Sequence, residues 1–159
     1  MAGFKVITED MKLWLSPPKI VDPVFGRLVF MHMEKRPERS YWEGEWAMPG
    51  AKCPVEISLP GGENGPSEDS RRFYLGLPDR IEQILDRCRP PLSRVFREWL
   101  DTDLPSDMFS ALKLTGFDVD DPQKRPLQWS VWFETTGDKW LGITIPFDGE
   151  IAGDAEVDT

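Results

Sequence analysis

Residues 41–46 read YWEGEW, a ring at each end and two acids around a central glycine. Successive side chains of a β-strand point to opposite faces. On a strand, Trp42, Gly44 and Trp46 therefore share one face, and Tyr41, Glu43 and Glu45 share the other. The stretches on either side follow the same period of two. In 25–31 (FGRLVFM), Leu28 and Phe30 lie on one face and Val29 and Met31 on the other, so both faces are apolar, as in an interior strand. In 53–59, Val55, Ile57 and Leu59 oppose Glu56 and Ser58. Short connections containing Pro or Gly join the three, which predicts an antiparallel meander. Phe4–Ile7 is a further, weaker strand pattern.

The periodicity then changes. Residues 59–70 (LPGGENGPSEDS) stop the last strand with glycines and open a helix: Pro66 suits a first turn, Ser67 a cap, and Glu68 and Asp69 the positive helix end. Phe73, Leu77, Ile81, Ile84, Leu85 and Cys88 form one apolar stripe as far as about Arg89. Gly76 and Pro78 interrupt it, since an interior proline costs a regular helix about 3 kcal/mol; a kink or break is expected there. Arg89-Pro90-Pro91 is expected to end this helix, and Leu92, Val95, Phe96, Trp99 and Leu100 to form a second one. One short turn falls in 104–110. Strand patterns resume at 111–119, then at 128–134 and 139–147, which flank TTGD as a hairpin turning at Gly137. Asp148-Gly149 makes another turn before 151–157, an acidic stretch expected to fray. The prediction is a single α+β domain over 1–159. It has an antiparallel sheet of five to seven strands, two helices on one face, and the order β-β-β-α-α-β-β-β.

Composition bounds the function. Seven Trp and nine Phe in 159 residues, with 40% hydrophobic and 30% charged residues, describe an ordered core. A formal net charge of −9 opposes phosphate binding, so no nucleic-acid partner is expected; the same sign favours a basic protein or simple solubility. No run of 18 apolar residues occurs and the start has no apolar leader core, so no membrane partner is expected. Cys53 and Cys88 lack a CxxC spacing and read as small buried apolar residues of a cytoplasmic protein.

Catalytic and metal signals are thin. His32 is the only histidine and reads as structural, so neither a metal nor a cofactor is expected. GxSxG, HExxH, Walker A and GxGxxG patterns do not occur. The GGENG run at 61–65 precedes a helix but has no GK[ST], and Glu63, Glu68 and Asp69 would repel a phosphate. DVDD at 118–121 reads as a solvated loop, because Gln123 and Trp129 stand where a calcium loop needs Gly and Glu. The arginines of 71–97 are interleaved with acids, Glu68 to Arg72 being a favourable i, i+4 pair, and read as a salt-laced solvent face.

Aromatics supply the remaining candidates. Trp132 lies on the opposite face from Trp129 and Phe133, and Trp140 falls near Phe133 across the hairpin. Two helices cover one face of a sheet, so some Trp is left half-exposed. Trp42 and Trp46 are core if helices cover their face and a binding patch if they do not. The candidate binding residues are Trp42, Glu43, Glu45 and Trp46, with Trp132 and Trp140 behind them; no catalytic residue is assigned.

VFGRL at 24–28, WEG at 42–44, VEISLPGGENGPSEDSRRFY at 55–74 and the W-x-x-x-F-E run from Trp129 to Glu134 together resemble a group of small bacterial cytoplasmic α+β proteins of unknown function. The resemblance spans about residues 22–147, rests on structural motifs and carries over no site residue. It implies an unbroken helix where Gly76-Leu77-Pro78 stands. Such families sometimes occur as immunity proteins beside secreted toxins. The expected function is a non-enzymatic acidic binding protein, in the form of an immunity or inhibitor protein covering a basic partner. The alternative is a small enzyme or carbohydrate-binding module using an aromatic and carboxylate surface.

Overall fold

A computed structural model describes residues 9–159, so the strand expected at Phe4–Ile7 lies outside the described residues. The described chain is α+β. Helix α1 (Glu9–Leu15) precedes strands β1 (Lys19–Asp22), β2 (Gly26–Met31), β3 (Tyr41–Trp46), β4 (Val55–Gly62) and β5 (Gly65–Pro66). Helices α2 (Glu68–Leu75) and α3 (Leu77–Leu100) follow. Strands β6 (Leu112–Val119), β7 (Gln128–Thr135), β8 (Gly142–Asp148), β9 (Ile151–Ala152) and β10 (Glu156–Asp158) complete it.

The meander is present as β2, β3 and β4, with Phe30 opposite Trp42 and Trp42 opposite Leu59. The hairpin of β7 and β8 is present too. Four features correct the prediction. Among the described residues the sheet has ten strands, in the order β1-β2-β3-β4-β6-β7-β8-β10, with β5 on β4 and β9 on β8. It is mixed, because β4 and β6 run parallel. The helical block between them is the crossover that a parallel neighbour requires. The helices number three among the described residues, α1 being one that the sequence reading missed. The acidic C-terminal stretch is held in the sheet, with β10 paired to β8 from Glu156 to Asp158.

The helix break falls at Gly76, which caps α2 while Pro78 sits in the first turn of α3. At this point the chain departs from the unbroken helix that the resemblance implied. Ser67 caps α2 as its sequence suggested, accepting a hydrogen bond from the Ser70 amide at 3.1 Å. The expected stop at Pro90-Pro91 does not occur: α3 runs on for 24 residues. Leu77, Ile84, Cys88, Leu92, Val95 and Phe96 are buried in one continuous stripe along it. Burying five large apolar side chains, at roughly 1.5–3 kcal/mol each, outweighs the roughly 3 kcal/mol penalty of each proline.

That stripe covers one face of the sheet. Trp42 is 0% exposed and Trp46 is 3% exposed, so both belong to the core beneath the helices. Trp46 meets Phe25 edge-on at 5.0 Å, and Phe30 lies 5.1 Å from Trp42. Gly44, between them, has a packing reason: a Cβ there would stand 2.5 Å from the Arg27 carbonyl oxygen and 2.8 Å from Leu28 Cδ2. The β1–β2 turn is fixed by Asp22, whose carboxylate accepts from the Val24 and Phe25 amides at 2.8 and 3.0 Å and pairs with Arg71 of α2. Burial works against that charge, but the Phe25 amide, Arg71 and the Val24 amide together hold the carboxyl below its usual range.

The parallel seam is short. Its ladder consists of Glu56 opposite Gly116 and Ile57 opposite Phe117. Tyr74 of α2 reinforces it from the helical side. Its buried hydroxyl donates to the Ser58 carbonyl at 2.7 Å, accepts from the Ser58 amide at 3.2 Å, and has the Phe117 carbonyl at 3.3 Å. Burial pushes this hydroxyl's ionisation far above the usual tyrosine value, so it stays a neutral donor.

The arginine-rich helix surface is paired, though with other partners than the sequence suggested. Arg72 bonds Asp69 at 3.0 Å rather than Glu68. Arg87 and Arg94 reach Glu150 and Asp154, on the connections either side of β9, at 3.6 and 3.0 Å. Cys88 is buried as expected, but Cys53 is exposed, because it lies on the turn before β4 begins at Val55.

Candidate functional site

Helices cover one face of the sheet, and among the described residues the other face is open. Alternation sends to that open face the side chains that the core does not take: Arg27 and Val29 of β2, Tyr41, Glu43 and Glu45 of β3, and Glu56 and Ser58 of β4. With Trp132 of β7 they line a groove of about 640 Å³. Three carboxylates in that lining face one cation, Arg27.

The groove spans the seam through an irregularity in β6. Leu112 and Leu114 point toward the helices; the register shifts between Leu114 and Gly116, and Phe117 and Val119 then take the buried face. This bulge leaves Gly116 and Asp118 on the open side. Trp132 lies over Gly116, where a Cβ would stand 2.8 Å from Trp132 Cε3 and 2.8 Å from the Glu56 carbonyl oxygen. The indole Nε1 donates to Ser130 Oγ at 3.0 Å, which fixes the ring as one wall of the groove.

Two electrostatic features mark this face. Glu45 and Glu56 are direct cross-strand neighbours. Like charges directly opposite one another on a sheet are destabilising. Asp118 lines an adjoining cleft of about 220 Å³ with Arg39, Tyr41 and Ser58. Burial, with Asp120 nearby, pushes its carboxyl above the usual carboxylate range, and the Val119 amide, the Ser58 hydroxyl and Arg39 only partly offset this. Burial, Glu43 and Asp118 likewise push the Tyr41 hydroxyl up.

The raised Asp118 carboxyl gives a pH prediction. A folded-state pKa above the unfolded one makes the ionised group unfavourable in the fold above that pKa; the cost fades as pH falls toward the unfolded value of about 3.9. Asp118→Asn keeps an acceptor for Ser58 and removes the charge. Its melting temperature is expected to exceed that of the wild type at pH 7, with the gap closing toward pH 4. A gap that is absent at pH 7, or that widens in acid, contradicts the assignment.

Of the sequence candidates, Glu43, Glu45 and Trp132 come together in the groove. Trp42 and Trp46 do not: they project to the helix-covered face, and as exposed anchors they are corrected to core residues. Trp140 is 50% exposed but stands on the β7–β8 loop, packed against Gly142 rather than in the groove. Arg27, Tyr41, Glu56, Ser58 and Asp118 were not assigned from sequence. The alternation of 53–59 had placed Glu56 and Ser58 opposite the apolar residues, and the apolar pattern slips at Thr115-Gly116; together these were the available signal.

Asp120 and Asp121 of the DVDD run are already paired, Asp120 with the distant Arg39 at 2.7 Å and Asp121 with the Gln123 amide at 3.0 Å. No group of three or more His, Cys, Asp or Glu among the described residues is arranged to hold a metal. No helix among the described residues is long and apolar enough to cross a membrane. Comparison with family models, with curated proteins and with solved structures returns no match.

Proposed function

We propose that this chain is a non-enzymatic acidic binding protein, an immunity or inhibitor protein of the cytoplasm whose open sheet face covers a basic partner protein. The observation that carries the reading is the open groove itself. Glu43, Glu45 and Glu56 line it against Arg27 alone, and Tyr41 and Trp132 stand among them as ring surfaces. Opposed Glu45 and Glu56 cost the free protein stability, and a partner's Lys or Arg inserted between them relieves that repulsion. Aromatic side chains at the centre of an acidic surface supply the apolar contact that charge alone does not. The net charge of −9 steers a basic protein toward this face. The immunity form rests on the motif resemblance, the binding role on the groove.

The test is retention of partners from the source lysate on immobilised wild type and on Glu45→Lys/Glu56→Lys, at low and high salt. A basic protein held by the wild type, released by salt and bound at least about tenfold more weakly by the variant supports the reading. Equal retention by both proteins overturns it. A second reading is favoured by the groove's volume of about 640 Å³, which suits a small ligand: a carbohydrate-binding module, or a small enzyme, using Trp132 and Glu56. It requires a saturable change in Trp132 emission with a sugar, lost in Glu56→Gln.

A further inference from the structure

The β4–β6 seam also leaves a second cleft, on the helix side and apart from the open face. The ladder to β4 begins at Gly116, so among the described residues Leu112–Leu114 are paired only to β7. Residues 50–53, ahead of β4, stand off from that half-strand. The space between them and α3 is a cleft of about 290 Å³, walled by Ile81, Leu85, Phe109, Leu112 and Leu114. Ile81, Leu85 and Phe109 pack against the core yet stay only half-buried, so the cleft keeps apolar surface exposed. Its volume is close to the lower end of small-molecule sites, about 300 Å³.

The charge at this cleft is opposite to that of the protein. Lys52 lines it, in a chain of net charge −9; Lys113 also borders it, but its side chain alternates to the open face, opposite Glu134. The Lys52 ammonium sits 5.5 Å above the Phe109 ring, over one apolar wall. Lys52 forms no ion pair with a carboxylate among the described residues. An apolar cavity with an uncompensated ammonium at its wall matches a molecule with a hydrocarbon or aryl body and a single negative charge. A tail in the cleft gains burial, and a carboxylate at Lys52 gains a charge-assisted hydrogen bond. The size excludes a long lipid, and one ammonium suits a monoanion. We propose that this cleft is a binding site for a small hydrophobic carboxylate, with its apolar body between α3 and β6 and its carboxylate at Lys52.

Cys53 supplies the reporter. It is exposed and lines the cleft, whereas the Cys88 thiol is buried and pushed up to about 12, so a neutral alkylating reagent reads Cys53. The rate of Cys53 alkylation by iodoacetamide would be followed with decanoate, decanol or decyltrimethylammonium, each below its aggregation concentration and with circular dichroism unchanged. Decanoate is expected to slow alkylation saturably, at lower concentration than decanol, with no effect of the cation. Lys52→Gln should raise the decanoate half-saturation about tenfold or more and leave decanol unchanged. Leu85→Asp, at a half-buried wall position, should abolish protection by both. Absent protection, equal potency of decanoate and decanol, protection by the cation, or indifference to Lys52→Gln each overturns the proposal. None of these results bears on the open-face groove, which holds neither Lys52 nor Cys53.

Discussion

Trp42→Ala is expected to destabilise the protein by about 3–5 kcal/mol, the range for deleting a large buried aromatic ring. The ring is 0% exposed, lies against Phe30 at 5.1 Å, and is opposite Leu59 in the β3–β4 ladder. Its Nε1 donates to the Gly62 carbonyl at 2.8 Å, so the alanine variant also strips an acceptor of its partner. Single domains hold roughly 5–15 kcal/mol in total, so the loss takes a large part of the margin. Urea denaturation measures it as a lowered midpoint at an unchanged slope. Glu43→Ala, the exposed neighbour on the other face, is the matched control and should fall within about 0.5 kcal/mol of wild type. A Trp42→Ala protein that unfolds with the wild type would return the ring to the surface and reopen it as a binding anchor.

The contrast between Trp42 and Glu43 shows what alternation discloses. YWEGEW separates two faces, and the structure keeps that separation residue by residue. The pattern does not say which face the helices cover, since that depends on where the crossover places α3. Trp42 and Trp132 were therefore indistinguishable as anchors until the helices were positioned. The helix termini were legible where the signal is local: Ser67 caps and Gly76 stops. Pro90-Pro91 carries an equally local signal and misleads, because long-range burial along α3 overrides it. The short edge strand β1 spans only Lys19–Asp22, too brief for a period to emerge. The parallel seam was missed, and the sheet was read as antiparallel throughout, because a pairing of two residues leaves no pattern of its own.

That seam carries the second large effect. Gly116→Val is expected to cost about 3 kcal/mol, the upper part of the usual overpacking range, and to disturb the groove at the same time. A Cβ at 116 would stand 2.8 Å from the Glu56 carbonyl oxygen, 2.8 Å from Trp132 Cε3 and 3.1 Å from Glu56 Cβ. The indole can swing aside, at the expense of its bond to Ser130. The carbonyl cannot move so freely, since Glu56 and Gly116 are one of the two pairs joining the halves of the sheet. Gly137→Ala, where an added Cβ meets nothing within 4 Å, is the neutral comparison. Combining Gly116→Val with Trp132→Ala separates the two obstacles. If the seam is the obstacle, the double variant remains well below Trp132→Ala in its urea midpoint. If the two midpoints coincide, the backbone yields, and the glycine serves the ring alone. The second outcome would tie Gly116 to the groove: the residue would be small because Trp132 must lie flat beside Glu56, where a ligand on the open face meets both.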